Sequence, residues 1–416
     1  MQSPMPDDLS AKSTLSSQRV LLLILAAGGF TSALNVTMLS PLLVDIAHTF
    51  DISEAAAGQL VTLTAASSGL MAITVAPWMD RYPRAFWLRL ECSLLAIGTL
   101  ISALGPSFAW IFVGRAFAGI GGAVIGASCL AACSDLFADK RDRNRAIGMI
   151  NSAFTLGAVV GLPIVTLAAD WTSWRIAIAL TAPLAILVFL GTALIPETSS
   201  TARGSMWRAW REGYTRVIAS RETLWLLAAE IVFMMSWFGW LIYFGALTET
   251  MYGVSAAVLS FMFLAGGGAE MVANNLTPLL LKTRSPRMVA SAAAVVSTIN
   301  LGLVGIAYDR EWALFPFIII ASASAATTFI ALNILLLDSL PGDPGATMSL
   351  QSACFEGGGA LGVVLTGAGL ALLDDYDAVY RALGLLMPVM ILLLCFSNRY
   401  RATQDPDTPQ LLTSPA

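Results

Sequence analysis

The sequence contains few charged residues. Asp, Glu, Lys and Arg make up only 12% of its 416 residues, whereas about a quarter of a soluble domain is charged. This shortage excludes a soluble globular enzyme and a disordered chain. The net charge of −4 provides no basic surface for nucleic acid, so we expect no nucleic-acid partner.

Histidine and cysteine are also scarce. The single histidine, His48, excludes a His-rich metal site and Ser-His-Asp catalysis. The five cysteines all lie in apolar runs, and their odd number predicts no disulfide framework. Cys129 and Cys133 are one helical turn apart, and we interpret them as small buried residues. We therefore expect no metal, no cofactor and no enzymatic activity.

Apolar residues are abundant, at 57% of the chain with a mean hydropathy of +0.75. A helix that crosses a bilayer needs about 20 apolar residues, so twelve would use about 240, close to the apolar content of this chain. The twelve predicted spans are 20–41, 55–77, 86–105, 109–133, 146–168, 175–195, 222–247, 255–281, 287–307, 312–337, 346–372 and 376–397. We predict an all-α integral membrane protein with twelve transmembrane helices in two pseudo-symmetric six-helix bundles.

The basic residues predict the orientation of these spans. One set of alternate loops and tails holds 19 of the 23 Lys and Arg residues, and the other set holds only Arg175, Arg310 and Arg381. Lys and Arg are enriched in cytoplasmic loops of membrane proteins. We therefore expect a multi-pass protein of the cell inner (plasma) membrane with both termini in the cytoplasm.

The chain divides into two halves of equal length. The predicted parts are a cytoplasmic tail (1–19), a first bundle (20–195), a cytoplasmic linker (196–221), a second bundle (222–397) and a cytoplasmic tail (398–416). A shift of 200 residues superposes Asn-Ser-Ala at 151–153 on Gln-Ser-Ala at 351–353, and Gly157 on Gly357. Such repeats are typical of transporters whose substrate site lies between the halves.

The loop at 76–84 carries a recognisable pattern. It resembles the Major Facilitator Superfamily signature G-x-L-x-D-R-x-G-R-[KR], in which Asp80, Arg81 and Arg84 match and the two glycines and the leucine do not. In that family the Asp caps a helix and the Arg pairs with an acid at the end of the fourth span, where Asp135 stands. The resemblance implies a cytoplasmic latch. The alternative is a basic loop that only fixes orientation.

The fourth span carries an arginine. The run from Arg115 to Gly121, in which Gly119 is the first glycine, resembles the family's R-x-x-x-G-x-G motif. An arginine inside a span is costly, so it usually faces a cavity or a partner. In proton-coupled members the resemblance implies that Arg115 tunes a nearby proton carrier. The alternative is an arginine that snorkels to the outer surface.

The fifth span resembles the glycine-and-proline motif of antiporters in this superfamily, through Gly157, Gly161 and Pro163. The two glycines form a small-xxx-small face for close helix contact, and the proline permits a kink. The Trp-Arg pair at 174–175 and the run at 348–353 resemble the arabinose-efflux-permease-like branch of drug/proton antiporters. This set predicts a helix-packing motif and an antiporter.

Three acids lie well inside predicted spans: Glu356, Glu230 and Glu270, in order of preference. Ionised acids are expensive in a membrane, so each is a candidate for proton coupling, together with Arg115. The alternative for each is a neutral acid hydrogen-bonded between helices. The first span, where many drug antiporters carry an acid, has only Asn35.

The substrate-cavity candidates are Asn35, Phe233, Trp237, Asn274 and Gln351. The two aromatic residues lie near one face of the seventh span and would suit flat or amphiphilic solutes. The alternative is an aromatic belt at the outer interface. Asn274 is four residues from an intramembrane acid and shares its helix face.

These patterns favour a secondary transporter that exports a small organic molecule (a drug, natural product or sugar-like solute) by proton antiport with alternating access. A proton- or sodium-coupled importer of a metabolite would use the same acids. A sensor built on a transporter scaffold is a remote alternative. The expected partners are a small-molecule substrate, protons and the lipid bilayer, and we expect a monomer.

Overall fold

The computed structural model describes residues 7–75, 82–123, 125–136, 140–195, 206–308, 310–339 and 344–404. Its regular structure is helical throughout these residues, apart from one isolated bridge between Val304 and Tyr308. The α-helices of the first half are α1 (Asp7–Thr37), α2 (Leu43–Phe50), α3 (Glu54–Val75), α4 (Arg84–Leu104), α5 (Phe108–Gly122), α6 (Ile125–Leu136), α7 (Lys140–Val159), α8 (Gly161–Trp171), α9 (Trp174–Ala179) and α10 (Thr181–Gly191). Those that follow are α11 (Met206–Ala219), α12 (Arg221–Tyr252), α13 (Ala256–Leu280), α14 (Pro286–Gly302), α15 (Leu314–Ser339), α16 (Pro344–Leu373), α17 (Tyr376–Gly384) and α18 (Leu386–Gln404).

Among the described residues, ten helical segments are long and apolar enough to cross a membrane. The two predicted spans that are not among them are nevertheless helical. The fourth consists of α5 and α6, on either side of residue 124, and the ninth is the 17-residue α14. The prediction of an all-helical membrane protein is confirmed.

Proline explains where three spans are broken. A proline inside a helix clashes with the carbonyl of the residue four positions earlier and donates no hydrogen bond to it. Helix α7 ends at Val159, four residues before Pro163, and α9 ends at Ala179, four residues before Pro183. Likewise, α17 ends at Gly384, four residues before Pro388. The kink predicted in the fifth span is therefore a local break.

Helix packing follows the internal repeat. In the first half, span 1 packs against spans 5 and 6, span 4 against spans 2 and 3, and span 3 against span 6. The same pairs recur in the second half, where span 7 contacts spans 11 and 12, span 10 contacts spans 8 and 9, and span 9 contacts span 12. The halves meet where span 2 packs on span 11 and span 8 packs on span 5. Two pseudo-symmetric six-helix bundles are thus the observed architecture.

The described part of the linker between the halves contains one helix, α11, which packs against α12 and α16. It buries Val217 completely and Tyr214 largely. The cytoplasmic location of the linker stays a prediction.

Candidate functional site

Arg115 of α5 has a fully buried side chain. Its Nε donates to Thr64 Oγ1 at 3.1 Å, and its Nη2 donates to the carbonyl oxygen and Oδ1 of Asn35 at 3.1 and 3.2 Å. Its Nη1 has no hydrogen-bond partner, and no described residue pairs with it as an anion. A buried guanidinium is costly without such compensation. Full burial also argues against snorkelling to the outer surface.

Both polar atoms of the Asn35 side-chain amide, in α1, form hydrogen bonds. Its Nδ2 donates to the carbonyl of Ala118 at 3.2 Å, while its Oδ1 accepts from Arg115. Gly122 leaves room for this amide, because a Cβ at that position would overlap the Asn35 nitrogen. Asn35 therefore supplies an uncharged acceptor to the arginine from the first span.

Glu356 of α16 forms a polar contact between the two halves. Its Oε1 accepts from Ser68 Oγ of α3 at 3.0 Å. The neighbouring Gly69 allows this approach, since a Cβ there would lie 3.2 Å from the Cβ of Glu356. The acid is thus held at the packing surface of spans 2 and 11.

Arg115, Asn35 and Glu356 line one narrow cavity between the halves. Thr64, Ser68 and Gly122 complete its polar side, and the remaining lining residues are Val36, Leu39, Val61, Ala65 and Phe238. Arg115 and Glu356 both line this space, and Arg115 Nη1 has no hydrogen-bond partner. The cavity volume of about 10 Å³ is enough for a single water molecule, so a larger solute would enter only after the halves move apart.

Glu230 and Gln351, predicted separately, form a pair. Glu230 of α12 is fully buried, and its Oε1 accepts from Gln351 Nε2 of α16 at 3.0 Å. Its Oε2 has no hydrogen-bond partner. Neither residue lines the cavity. The pair joins spans 7 and 11 within the second half.

Glu270 and Asn274 lie on α13, away from the cavity lining. Both side chains are partly exposed. Neither makes a hydrogen bond with the described residues. The structure does not bring them together with Arg115 or Glu356.

A fourth intramembrane acid, Glu91 of α4, escaped the sequence analysis. It is fully buried, its Oε1 accepts from Ser128 Oγ of α6 at 3.0 Å, and its Oε2 has no partner. The signal was present, because Glu91 falls inside the predicted span 86–105. Intramembrane acids therefore occur in both halves and not only in the second.

The aromatic residue of α12 that lines the cavity is not one of the two that the sequence suggested. Phe233 is buried and packs edge-on against Trp237, with ring centroids 6.1 Å apart, but neither lines the cavity. Phe238 lines it instead, and its ring meets Phe355 edge-on at 5.5 Å. No local sequence signal separates Phe238 from its neighbours, since several aromatic residues follow one another in this span.

The latch residues are only partly covered by the structure. Asp80 and Arg81 lie outside the described residues, and nothing is described of the Asp135 side chain. Arg84 is the first residue of α4. The latch stays a prediction.

The glycines of the predicted packing motif lie at close helix contacts. A Cβ at Gly157 would lie 2.5 Å from the carbonyl oxygen of Phe30, and one at Gly161 would lie 2.7 Å from Leu34 Cδ1, both in α1. A Cβ at Gly119 would overlap the α3 backbone at Thr64. These contacts set the approach of spans 1 and 5 and of spans 2 and 4.

Comparison with known proteins gives consistent results. The family model described as Major Facilitator Superfamily matches residues 25–363. The putative transporter AraJ of Escherichia coli is 24% identical over 394 residues, which cover 94% of this chain and 98% of that protein. The multidrug resistance protein Stp of Mycobacterium tuberculosis is 26% identical over 187 residues, 45% of this chain and 35% of that protein.

Solved structures share this fold. One of them is a bacterial homolog of the human lysosomal transporter Spinster, in an inward-facing and unoccupied conformation. The TM-score is 0.69 at 17% sequence identity, over 92% of this chain and 96% of that chain. The likeness extends over both six-helix halves.

Proposed function

Because the chain belongs to the Major Facilitator Superfamily, a family of transporters and not of enzymes, we propose that it exports a small organic molecule in exchange for protons. A drug, a natural product or a sugar-like solute would be the cargo. Similarity to a protein named for multidrug resistance supports efflux of a drug-like molecule. The protein would lie in the cell inner membrane as a monomer, with both termini in the cytoplasm.

One observation carries this proposal. A first-half arginine, Arg115, and a second-half acid, Glu356, line the same cavity between the halves. Substrate sites of transporters built from repeated halves are expected at this interface, near mid-membrane. Residues separated by more than 200 positions thus contribute to one polar surface.

Exchange would follow from the two forms of the Glu356 carboxyl. An ionised carboxylate accepts hydrogen bonds at both oxygens, whereas the protonated acid uses one oxygen as a donor. A solute that donates to the carboxylate therefore competes with the proton. Arg115 would bind an acceptor group of the same solute through its unpaired Nη1.

Glu356 also links the exchange to movement of the halves. Its bond to Ser68 crosses from span 11 to span 2. Protonation or solute binding changes what this carboxyl can accept, and thereby the strength of that contact. Glu230 and Glu270, which do not line the cavity, are the alternative candidates for the proton carrier.

The predicted latch would control opening at the cytoplasmic end of the bundle. Its residues are Asp80, Arg81, Arg84 and Asp135.

The test uses respiring inside-out vesicles that contain the protein, with a pH-sensitive dye inside. Antibiotics and sugars are added one at a time, and solute-dependent loss of the proton gradient is followed. We expect one or more solutes to cause proton release from the vesicles, and Glu356→Gln to abolish it because the amide cannot exchange a proton.

The matched control is Glu311→Gln, an exposed acid at the start of span 10 and off the cavity lining, which should leave proton release unchanged. Glu230→Gln and Glu270→Gln are measured in parallel. Loss of coupling in one of these, with coupling kept in Glu356→Gln, would contradict the role of Glu356. Sodium-dependent solute movement without a proton signal would contradict proton antiport itself.

A further inference from the structure

One carboxylate joins the two halves at the predicted outer end of the bundle. Glu54 is the first residue of α3, in the first half. Its Oε1 accepts from Thr250 Oγ1 of α12 at 2.9 Å, and its Oε2 accepts from the hydroxyl of Tyr376 at the start of α17. We call Glu54, Thr250 and Tyr376 the outer clasp, because a single first-half acid takes donors from spans 7 and 12.

A buried tyrosine fills the adjoining interface. The Tyr243 hydroxyl of α12 lies between Gly58 of α3 and Gly367 of α16, and a Cβ at Gly58 would overlap it. This hydroxyl has no hydrogen-bond partner. Its contacts are therefore steric, and they require the close approach that the two glycines permit.

A third contact closes the same end. Ser40 Oγ, just after α1, donates to the carbonyl of Leu241 in α12 at 2.8 Å. A Cβ at Gly245, one turn further along α12, would lie 2.9 Å from the Ser40 carbonyl oxygen. A solute cannot pass between the halves at this end while these contacts persist.

We propose that Glu54 is a positioning residue of the transport cycle, whose two hydrogen bonds hold the outer end closed and set the balance between the closed and open states. Opening of the outer end must break both bonds, while closing re-forms them. The inference rests on alternating access in the proposed function, but it requires neither proton coupling nor a particular solute.

The experiment measures how readily a thiol reagent reaches the cavity between the halves from each face of the membrane. All five native cysteines are replaced, and Leu39, a buried residue that lines the cavity, is changed to cysteine. A membrane-impermeant maleimide is applied to intact cells, which exposes the outer face, and to inside-out vesicles, which exposes the inner face. No solute or proton gradient is needed, so failure of the proposed coupling would not alter the result.

Glu54→Ala removes both hydrogen bonds and is expected to raise labelling from the outer face at least about fivefold, because loss of one ordinary hydrogen bond already changes a two-state population by about that factor. Labelling from the inner face should fall. Tyr376→Phe and Thr250→Val each remove one donor and should have smaller effects in the same direction. The double variant Glu54→Ala/Tyr376→Phe should label no faster than Glu54→Ala, because both changes remove the same bond.

Glu311→Gln is the matched control. The Glu311 side chain is exposed at the same predicted end and makes no hydrogen bond with the described residues, so its variant should label like the parent. Gly58→Leu should also raise outer labelling, because the larger side chain separates the halves at Tyr243.

Two results would overturn the inference. One is parental labelling from both faces in Glu54→Ala while Gly58→Leu increases outer labelling, which would mean that the end opens without control by Glu54. The other is an increase from both faces together with a lower melting temperature, which would indicate general loosening of the fold.

Discussion

At the scale of single residues, Arg115 carries the most specific geometry. Its guanidinium binds Thr64 of the second span and Asn35 of the first in a fixed fork. A lysine ammonium is a compact charge on a flexible stem and cannot reproduce this planar arrangement. Arg115→Lys is therefore expected to reduce transport at least about tenfold, since poorly fixed polar groups lose orientation as well as contacts.

The measurement is solute efflux from cells or vesicles, with the melting temperature as a check on folding. Thr64→Ala removes only one of the three donor contacts and should reduce transport less. Full transport in Arg115→Lys would show that charge alone is sufficient at this position.

The contacts of two polar residues, Glu91 and Ser68, could not be predicted from the sequence. The sequence marks Glu91 as an acid inside an apolar run, but only the packing of α4 against α6 shows that its carboxyl meets Ser128. Ser68 gave no signal at all, because a serine in a span is common and its bond to Glu356 joins residues 288 positions apart.

At the scale of helices, α7 provides a matched pair of glycines. A Cβ at Gly157 would lie 2.5 Å from the carbonyl oxygen of Phe30, whereas a Cβ at Gly148 would meet nothing within 4 Å. Gly157→Ala should destabilise the protein by about 1–3 kcal/mol through overpacking. Gly148→Ala should be neutral or stabilise it by up to about 1 kcal/mol through helix propensity.

Thermal unfolding in detergent separates the two variants. Equal melting temperatures would mean that spans 1 and 5 do not approach as closely as the structure indicates. The same pair tests whether the glycine motif acts through packing.

The ends of helices were less predictable than their existence. Apolar length located a helix at every predicted span, but the breaks depend on where a proline removes a donor, as Pro163 and Pro183 do.

At the scale of the whole molecule, the distribution of basic residues predicts which end faces the cytoplasm. Thr283 lies in the loop between spans 8 and 9, which belongs to the basic set, and Thr172 lies between spans 5 and 6, in the other set. Both are exposed. In a cysteine-free background, Thr172→Cys should react with an impermeant maleimide in intact cells, and Thr283→Cys should react only in inside-out vesicles.

Reaction of both cysteines from one face would contradict the topology. Reaction of Thr283→Cys in intact cells and of Thr172→Cys in inside-out vesicles would invert it, and would move the outer clasp to the cytoplasmic end.

The sequence by itself determined the class of protein, the places along the chain where helices form and the internal repeat, because these follow from apolar length and from similarity between the halves. It also identified Arg115, Asn35 and Glu356 individually, since each is a polar residue in an apolar run. Only the tertiary structure decided that these three line one cavity while Glu230 pairs with Gln351. The reason is that the rotation of each helix and the packing of span 2 on span 11 depend on contacts between distant segments, and a local pattern does not specify them.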